Sequence, residues 1–245
     1  MALASVNRSY SGAKWQRAPT QLSDAETARM AALFEERLNL PYSLCWHLAS
    51  LGLNDETIAD FLDPKLRTSL PDPYVMKDAE LAIKLITNII KKKQPIGLFS
   101  DYDVDGACSA ALFRLVLGAF GVPVWCHIPD RFKEGYGPNL EALKALKAQG
   151  AELILTVDCG ITAHAPLAAA AEEGMSVIVI DHHKAGVVLP RAEAVVNPNR
   201  IDDDSGLGHL CAAAVCFLVL AGVVRACRAQ GITDQMGQLP DMMAV

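Results

Sequence analysis

The sequence lacks four things, and each absence narrows its class. It has no CxxC pair: the seven cysteines, at 45, 108, 126, 159, 211, 216 and 227, stand apart and several sit inside apolar runs. They are expected to be reduced, small core residues, which implies an intracellular, cytoplasmic compartment. There is no excess of positive charge. With a net charge of −6, nucleic acid cannot be held by bulk charge alone, although a local basic groove would not show in the total. The N-terminus carries Arg8, Lys14 and Arg17 among polar residues and has no apolar segment of the kind an export signal needs. Finally, the longest apolar run, Leu210 to Val224, is shorter than the roughly 20 residues that span a bilayer, so it predicts a buried helix and no membrane partner.

What is present is a globular composition: 245 residues, 51% hydrophobic and 20% charged, enough for one large or two small domains around a substantial core. Residues 1–75 read as a polar, irregular start followed by a small helical region. Ser23-Asp24-Ala25-Glu26 is a helix start, with Ala31, Phe34 and Leu38 at helical spacing. After Pro41, Leu44, Leu48 and Leu51 repeat that spacing, and Asn54 to Leu62 predicts a third short helix. Residues 76–245 form the second region. It opens with an amphipathic helix over Met76 to Lys93 whose apolar side carries Ala79, Leu81, Ile83, Ile86 and Ile90.

From residue 96 the punctuation becomes strand, turn, helix, repeated. Strands are predicted at Ile96–Phe99, Val122–Ile128, Leu153–Val157 and Val177–Ile180. Helices are predicted at Ala107–Phe120, Asn139–Gln149 and Ala163–Glu173, closed by Gly121, Gly150 and Gly174. Continuous apolar strands separated by helices indicate a parallel sheet covered on both faces, a doubly wound α/β domain.

Ligands bind such sheets beyond the carboxyl ends of the strands, and the acids fall there three times. Asp101, Asp103 and Asp105 follow the first strand, Asp158 the third, and Asp181-His182-His183 the fourth. If the chain stays extended, period two turns Asp101, Asp103 and Asp105 to one side, and Gly106 permits a sharp change of direction. Carboxylates this close raise each other's pKa unless a cation or several donors offset the charge. Singly, each acid has a plainer reading, a solvated turn or, for Asp158, a helix N-cap. Together, hard oxygens and imidazole at one sheet edge suit Mn²⁺ or Mg²⁺ better than a thiolate zinc site. His47, His127 and His164 have no such company and read as structural or solvent-facing.

The loop Asp130 to Gly137 follows the second strand at the same edge. Arg131 or Lys133 can meet a phosphate there, while Phe132 or Tyr136 stacks on a base or packs under the loop. Gly206-Leu207-Gly208-His209, read as opening the last helix, offers a further anion contact at Gly208.

Several stretches resemble the DHH phosphoesterases, and within them the single-stranded-DNA exonucleases of the RecJ group. SDYDVDG (100–106), TVDCGI (156–161) and IDHH (180–183) look like the three successive family motifs. RFKEGYG (131–137), FLDPKL (61–66) and DPYVMKDAE (72–80) are similar to the RecJ group, and the resemblance covers roughly residues 7 to 245. It implies two divalent ions and hydrolysis of single-stranded DNA from a 5′ end, in DNA repair and recombination. By motif, Asp103, Asp105, Asp158 and His182 would be metal ligands, with Asp101 and His183 beside them as ligand, orienting or substrate-contacting groups and Asp181 orienting its neighbours.

One departure sets a further expectation. The group's pattern continues past the segment resembling Leu239 to Val245 into another metal-ligating Asp and further domains, and Asp241 resembles an acid upstream of that ligand. On this reading the chain is an N-terminal fragment with impaired turnover. Two alternatives remain: a family member acting on short oligonucleotides or nucleotides, disfavoured because Gly97-Leu98-Phe99 lacks the histidine such relatives carry, and an inactive DNA-binding scaffold. Repair or recombination partner proteins leave no mark in the sequence.

Overall fold

A computed structural model describes residues 9–13, 22–65 and 69–233. The readings at Arg8, Lys14, Arg17, Leu66 and 239–245, Asp241 included, lie outside the described residues. The chain divides between Leu70 and Pro71 into two compact units.

The first unit is helical. Ser23 caps α1 (Asp24–Leu38) by accepting from the Glu26 N–H, and the Glu26 carboxylate accepts in return from the Ser23 N–H at 2.8 Å, a reciprocal capping box. α2 (Tyr42–Ser50) starts behind Pro41. α3 is shorter than expected, Ile58–Leu62, because the Asn54 side chain accepts from the N–H groups of Glu56 and Thr57 and holds that stretch as a turn. The core joins Ala31, Phe34, Cys45, Leu48, Ala49 and Ile58. Cys45 and Leu48 face inward, whereas Leu44 and Leu51, predicted on the apolar stripe, are 41% and 53% exposed.

The second unit opens with a 3₁₀ turn (Pro73–Val75) and α4 (Ala79–Lys92), which buries Ala79, Ala82, Ile83, Ile86 and Ile90 and leaves Leu81 outside. There follow β1 (Ile96–Ser100), α5 (Val104–Ala119), β2 (Val124–His127), α6 (Leu140–Ala148) and β3 (Leu153–Val157). α7 (His164–Glu172), β4 (Val177–Ile180), β5 (Ala194–Val196) and α8 (Ala212–Ala229) complete it. All strand pairs are parallel, in the order β2-β1-β3-β4-β5.

Successive residues of one strand serve opposite faces. Leu153, Leu155 and Val157 join the core with α4, α5 and α8, while Ile154 joins the core with α6 and α7. Both faces are apolar, hence the continuous hydrophobic strands. α8 is long and apolar enough to cross a membrane by length and composition, yet more than half of it is buried, with Val215, Leu218, Val219 and Val223 inside the core. Four cysteines, 45, 159, 216 and 227, are core residues as expected; Cys126 and Cys211 are exposed and Cys108 is intermediate.

The chain leaves β1 toward one sheet edge and β3 toward the other. The strand order therefore reverses between these two neighbours, the place where sheets of this kind bind ligands beyond the carboxyl ends of their strands.

Candidate metal centre

The site is built on one row across the sheet. Ser100 pairs with Val157, Val157 with Ile180, and Ile180 with Val196. One residue further along each strand stand Asp101, Asp158, Asp181 and Asn197. The ladder continues into this row, with Asp101 N–H donating to Val157 O, Asp158 N–H to Ile180 O and Asp181 N–H to Val196 O. All four polar residues are buried, at 4%, 1%, 0% and 0% exposure.

The segment after β1 is not extended. α5 begins at Val104, three residues earlier than expected, because Asp103 is its N-cap: the Asp103 carboxylate accepts from the Gly106 N–H at 3.0 Å. Asp105 thus lies in the first helical turn. Gly106 makes no left-handed turn; it is needed for closeness, since a Cβ there would sit 2.5 Å from the Asp101 carbonyl oxygen.

Asp158 is not a helix cap either, because α7 starts only at His164, behind Ala163. Its backbone is left-handed, with φ 58°, and Gly160 two residues on has φ 112° with Thr156 Oγ1 where a Cβ would fall. Strain of this kind, about 1–3 kcal/mol, persists where surrounding structure enforces it, commonly at functional sites. Among the described residues, no N–H donor is hydrogen-bonded to either carboxylate oxygen of Asp158. Potential ligand atoms gather around it in two groups, Asp101 with Asp103 and Asp158, and Asp158 with His182 and His183.

Asp181 works differently. Its Oδ1 accepts from the N–H groups of His182 and His183 at 2.7 and 3.1 Å and lies 2.7 Å from His183 Nδ1, while Oδ2 accepts from Ile161 N–H at 3.0 Å. Its hydrogen-bonding capacity is spent on posture. His182 Nδ1 lies 3.2 Å from the Leu210 carbonyl, which can only accept, so this nitrogen carries the proton. In the neutral ring Nε2 is then a lone pair, 3.3 Å from Asp158 Oδ1 and 3.6 Å from Asp105 Oδ2.

The His182 ring thus faces the carboxylates of Asp158 and Asp105 at short range. Burial, then the charges of Asp105 and Asp103, push the Asp158 carboxyl up to about 8. Burial also raises Asp101, while the Gly106 N–H lowers Asp103. Cys159, next to Asp158, is buried and its thiol is held well above its usual range, chiefly by desolvation, so the donor set is oxygen and imidazole. Two divalent cations fit this set: they would give Asp158 oxygen-binding partners and offset the carboxylate charge gathered around it.

The loop after β2 rims the same edge. Its anchor is Glu134, whose Oε2 lies 2.8 Å from His127 Nε2 and accepts from Asn139 Nδ2 at 3.3 Å, and whose Oε1 accepts from Asp130 N–H at 2.9 Å. His127 stacks on Phe99. Phe132 packs under nothing and is 96% exposed. Arg131 lies over the Tyr102 ring at 5.5 Å, and Tyr136 meets the His183 ring edge-on at 6.3 Å. Lys133 pairs with Asp130 at 3.4 Å on the surface.

A model of the DHH family's N-terminal domain matches residues 95–244. The chain belongs to the DHH family. Among curated relatives it is 35% identical to the single-stranded-DNA-specific exonuclease RecJ of Bacillus subtilis over 69% of this chain, and 37% identical to that of Salmonella typhimurium over 66%. It spans 20% and 28% of those relatives' lengths. A crystal structure of exonuclease RecJ bound to manganese superposes with a TM-score of 0.56 at 34% identity, covering 64% of this chain and 39% of that one. RecJ from Thermus thermophilus in complex with Mn²⁺ gives 0.62 at 28%, covering 84% and 28%.

Within this DHH domain, sequence reading missed the parts that come from β5 and the start of α8. Asn197 Nδ2 donates to His183 O at 2.9 Å, and Asn199 Nδ2 donates to the carbonyls of His182 and Gly208. The signal was available: Asn197-Pro198-Asn199 follows an apolar run, as the acids do, but the run is only three residues long. The stretch Gly206 to His209 does not open α8, which begins at Ala212. The first N–H groups of that helix, on Ala212 and Ala213, go to the Asp105 carboxylate, so Gly208 loses its basis as an anion contact.

Proposed function

We propose that this chain carries the metal-binding wall of a divalent-metal-dependent phosphodiesterase of the DHH family, a single-stranded-DNA exonuclease working from a 5′ end. The reading includes a cytoplasmic role in DNA repair and recombination. The observation that carries it is Asp158, buried, without an N–H donor among the described residues and shared by two groups of potential ligands. Similarity to RecJ exonucleases, two of them in manganese-bound crystal structures, supports the substrate class and the cofactor.

Asp103, Asp105, Asp158 and His182 would hold two Mn²⁺ or Mg²⁺ ions, with Asp101 and His183 beside them. When bound, such ions lower the pKa of water and stabilise charge developing on a scissile phosphate. Asp181 orients His183 through its ring nitrogen and backbone N–H, and accepts from the His182 N–H as well. Arg131 and Lys133, exposed on the rim, supply cations for backbone phosphates, and Tyr136 offers a ring for a base. Its hydroxyl stays protonated, because burial and the nearby Asp181 and Asp101 charges raise its pKa.

The test is digestion of 5′- and 3′-labelled single strands in Mn²⁺, with Asp158→Asn as control. Mononucleotide release from the 5′ label by the wild type alone supports the reading. Cleavage confined to short oligonucleotides would reassign the substrate, and Mn²⁺ binding without any cleavage would leave this chain a metal-binding domain without turnover of its own.

A further inference from the structure

The two histidines at the centre do not fix their own position. They sit on a helix-free connection, residues 181–193, between β4 and β5, so something must hold their backbone. Asp181 takes their N–H groups, and their carbonyl oxygens are held by two side chains from the end of β5. Asn197, with 0% exposure, donates through Nδ2 to His183 O at 2.9 Å, and its Oδ1 accepts from Asn199 N–H at 2.7 Å. Asn199 donates through Nδ2 both to His182 O and, at 3.2 Å, to Gly208 O. Two residues beyond Gly208, Leu210 O receives the His182 Nδ1 proton. One amide group therefore ties the backbone of His182 to the segment that orients its ring.

We propose that Asn199, seated by Asn197, is a positioning residue for the metal centre: it locks His182 with Nδ1–H on Leu210 O and Nε2 turned toward Asp158 and Asp105. This rests on the two-metal reading above. Asparagine suits the task because its amide offers two N–H donors to two carbonyls, which aspartate cannot do near neutral pH. Gly208 is part of the fit, since a Cβ there would lie 2.7 Å from Asn199 Oδ1. Groups that orient a metal ligand from behind typically contribute about 10- to 100-fold in affinity.

Two readouts on the full chain test this. The first needs no metal: imidazole ¹⁵N spectra of wild type, Asn199→Ala, Asn199→Gln and Gly208→Ala after chelation. Wild-type His182 is expected as a single Nδ1–H tautomer, Asn199→Ala and Gly208→Ala as a mixture, with partial recovery in Asn199→Gln. The second is Mn²⁺ titration calorimetry, where Asn199→Ala should weaken binding at least 10-fold. Ile86→Val, a change at a buried position of α4, should leave affinity within 2-fold. An unaltered His182 spectrum in both Asn199→Ala and Gly208→Ala overturns the proposal, as does Mn²⁺ affinity in Asn199→Ala equal to that of Ile86→Val. Wild type that binds no Mn²⁺ but shows the tautomer change refutes the metal reading and leaves the positioning role standing.

Discussion

Asp105 closes its carboxylate over the first turn of α8: Oδ2 accepts from the Ala212 N–H and Oδ1 from the Ala213 N–H, each at 2.8 Å. The same carboxylate lies 3.6 Å from His182 Nε2. An anion at a helix N-terminus satisfies donors that have no partner within the helix and meets the positive end of the dipole. Asp105 is thus a structural cap as well as a candidate ligand. Replacing it with Ala should lower the stability of the chelated protein by about 1–3 kcal/mol in urea unfolding, with Asp105→Asn between it and wild type. Unchanged stability in Asp105→Ala would remove the capping role.

The raised Asp158 carboxyl gives a pH signature. Its folded value, about 8, exceeds the ordinary value of 3.8, so the folded state holds more protons than the unfolded state between them. Stability then falls as pH rises through that window. In metal-free protein, Tm should decline from pH 5 to pH 8 more steeply for wild type than for Asp158→Asn, and saturating Mn²⁺ should reverse the wild-type decline. Parallel curves for the two proteins would assign the titration elsewhere.

Gly106→Ala probes the close approach between α5 and the end of β1. The new Cβ would fall 2.5 Å from the Asp101 carbonyl oxygen, a backbone atom that has little room to yield. A loss of at least about 2 kcal/mol is expected, at the upper range for overpacking, together with weaker Mn²⁺ binding. A variant as stable as wild type would show that the turn relaxes.

Glu134→Ala separates the rim from the centre. It removes the acceptor for His127 Nε2, Asn139 Nδ2 and Asp130 N–H, and so loosens the loop bearing Arg131 and Tyr136. Affinity for Mn²⁺ should remain within 2-fold while KM for single-stranded DNA rises several-fold. Equal losses in both would place Glu134 in the metal centre itself.

The sequence made some of this legible for identifiable reasons. The bounds of β3 and β4 are legible because each is a short run of apolar or β-branched residues, with Thr156 the one polar member, between turns. The gathering of Asp101, Asp158 and the Asp181 to His183 stretch at one edge followed from where those runs stop. α5 starts earlier than its sequence suggests, because Asp-Val-Asp alternates like a strand and Val, Asp and Gly are weak helix formers, while Asp103 as N-cap decides the matter locally. β5 has three residues, too few to show a pattern. Asn197 and Asn199 read as turn residues because their role is to hydrogen-bond backbone carbonyls that only the tertiary fold brings near.

Everything about the site turns on Asp158. The most direct measurement is anomalous diffraction at the manganese edge from crystals grown with saturating Mn²⁺. Two peaks are expected on either side of the Asp158 carboxylate, one toward Asp101 and Asp103 and the other toward His182. A map with no peak within coordination distance of Asp158 would contradict the account.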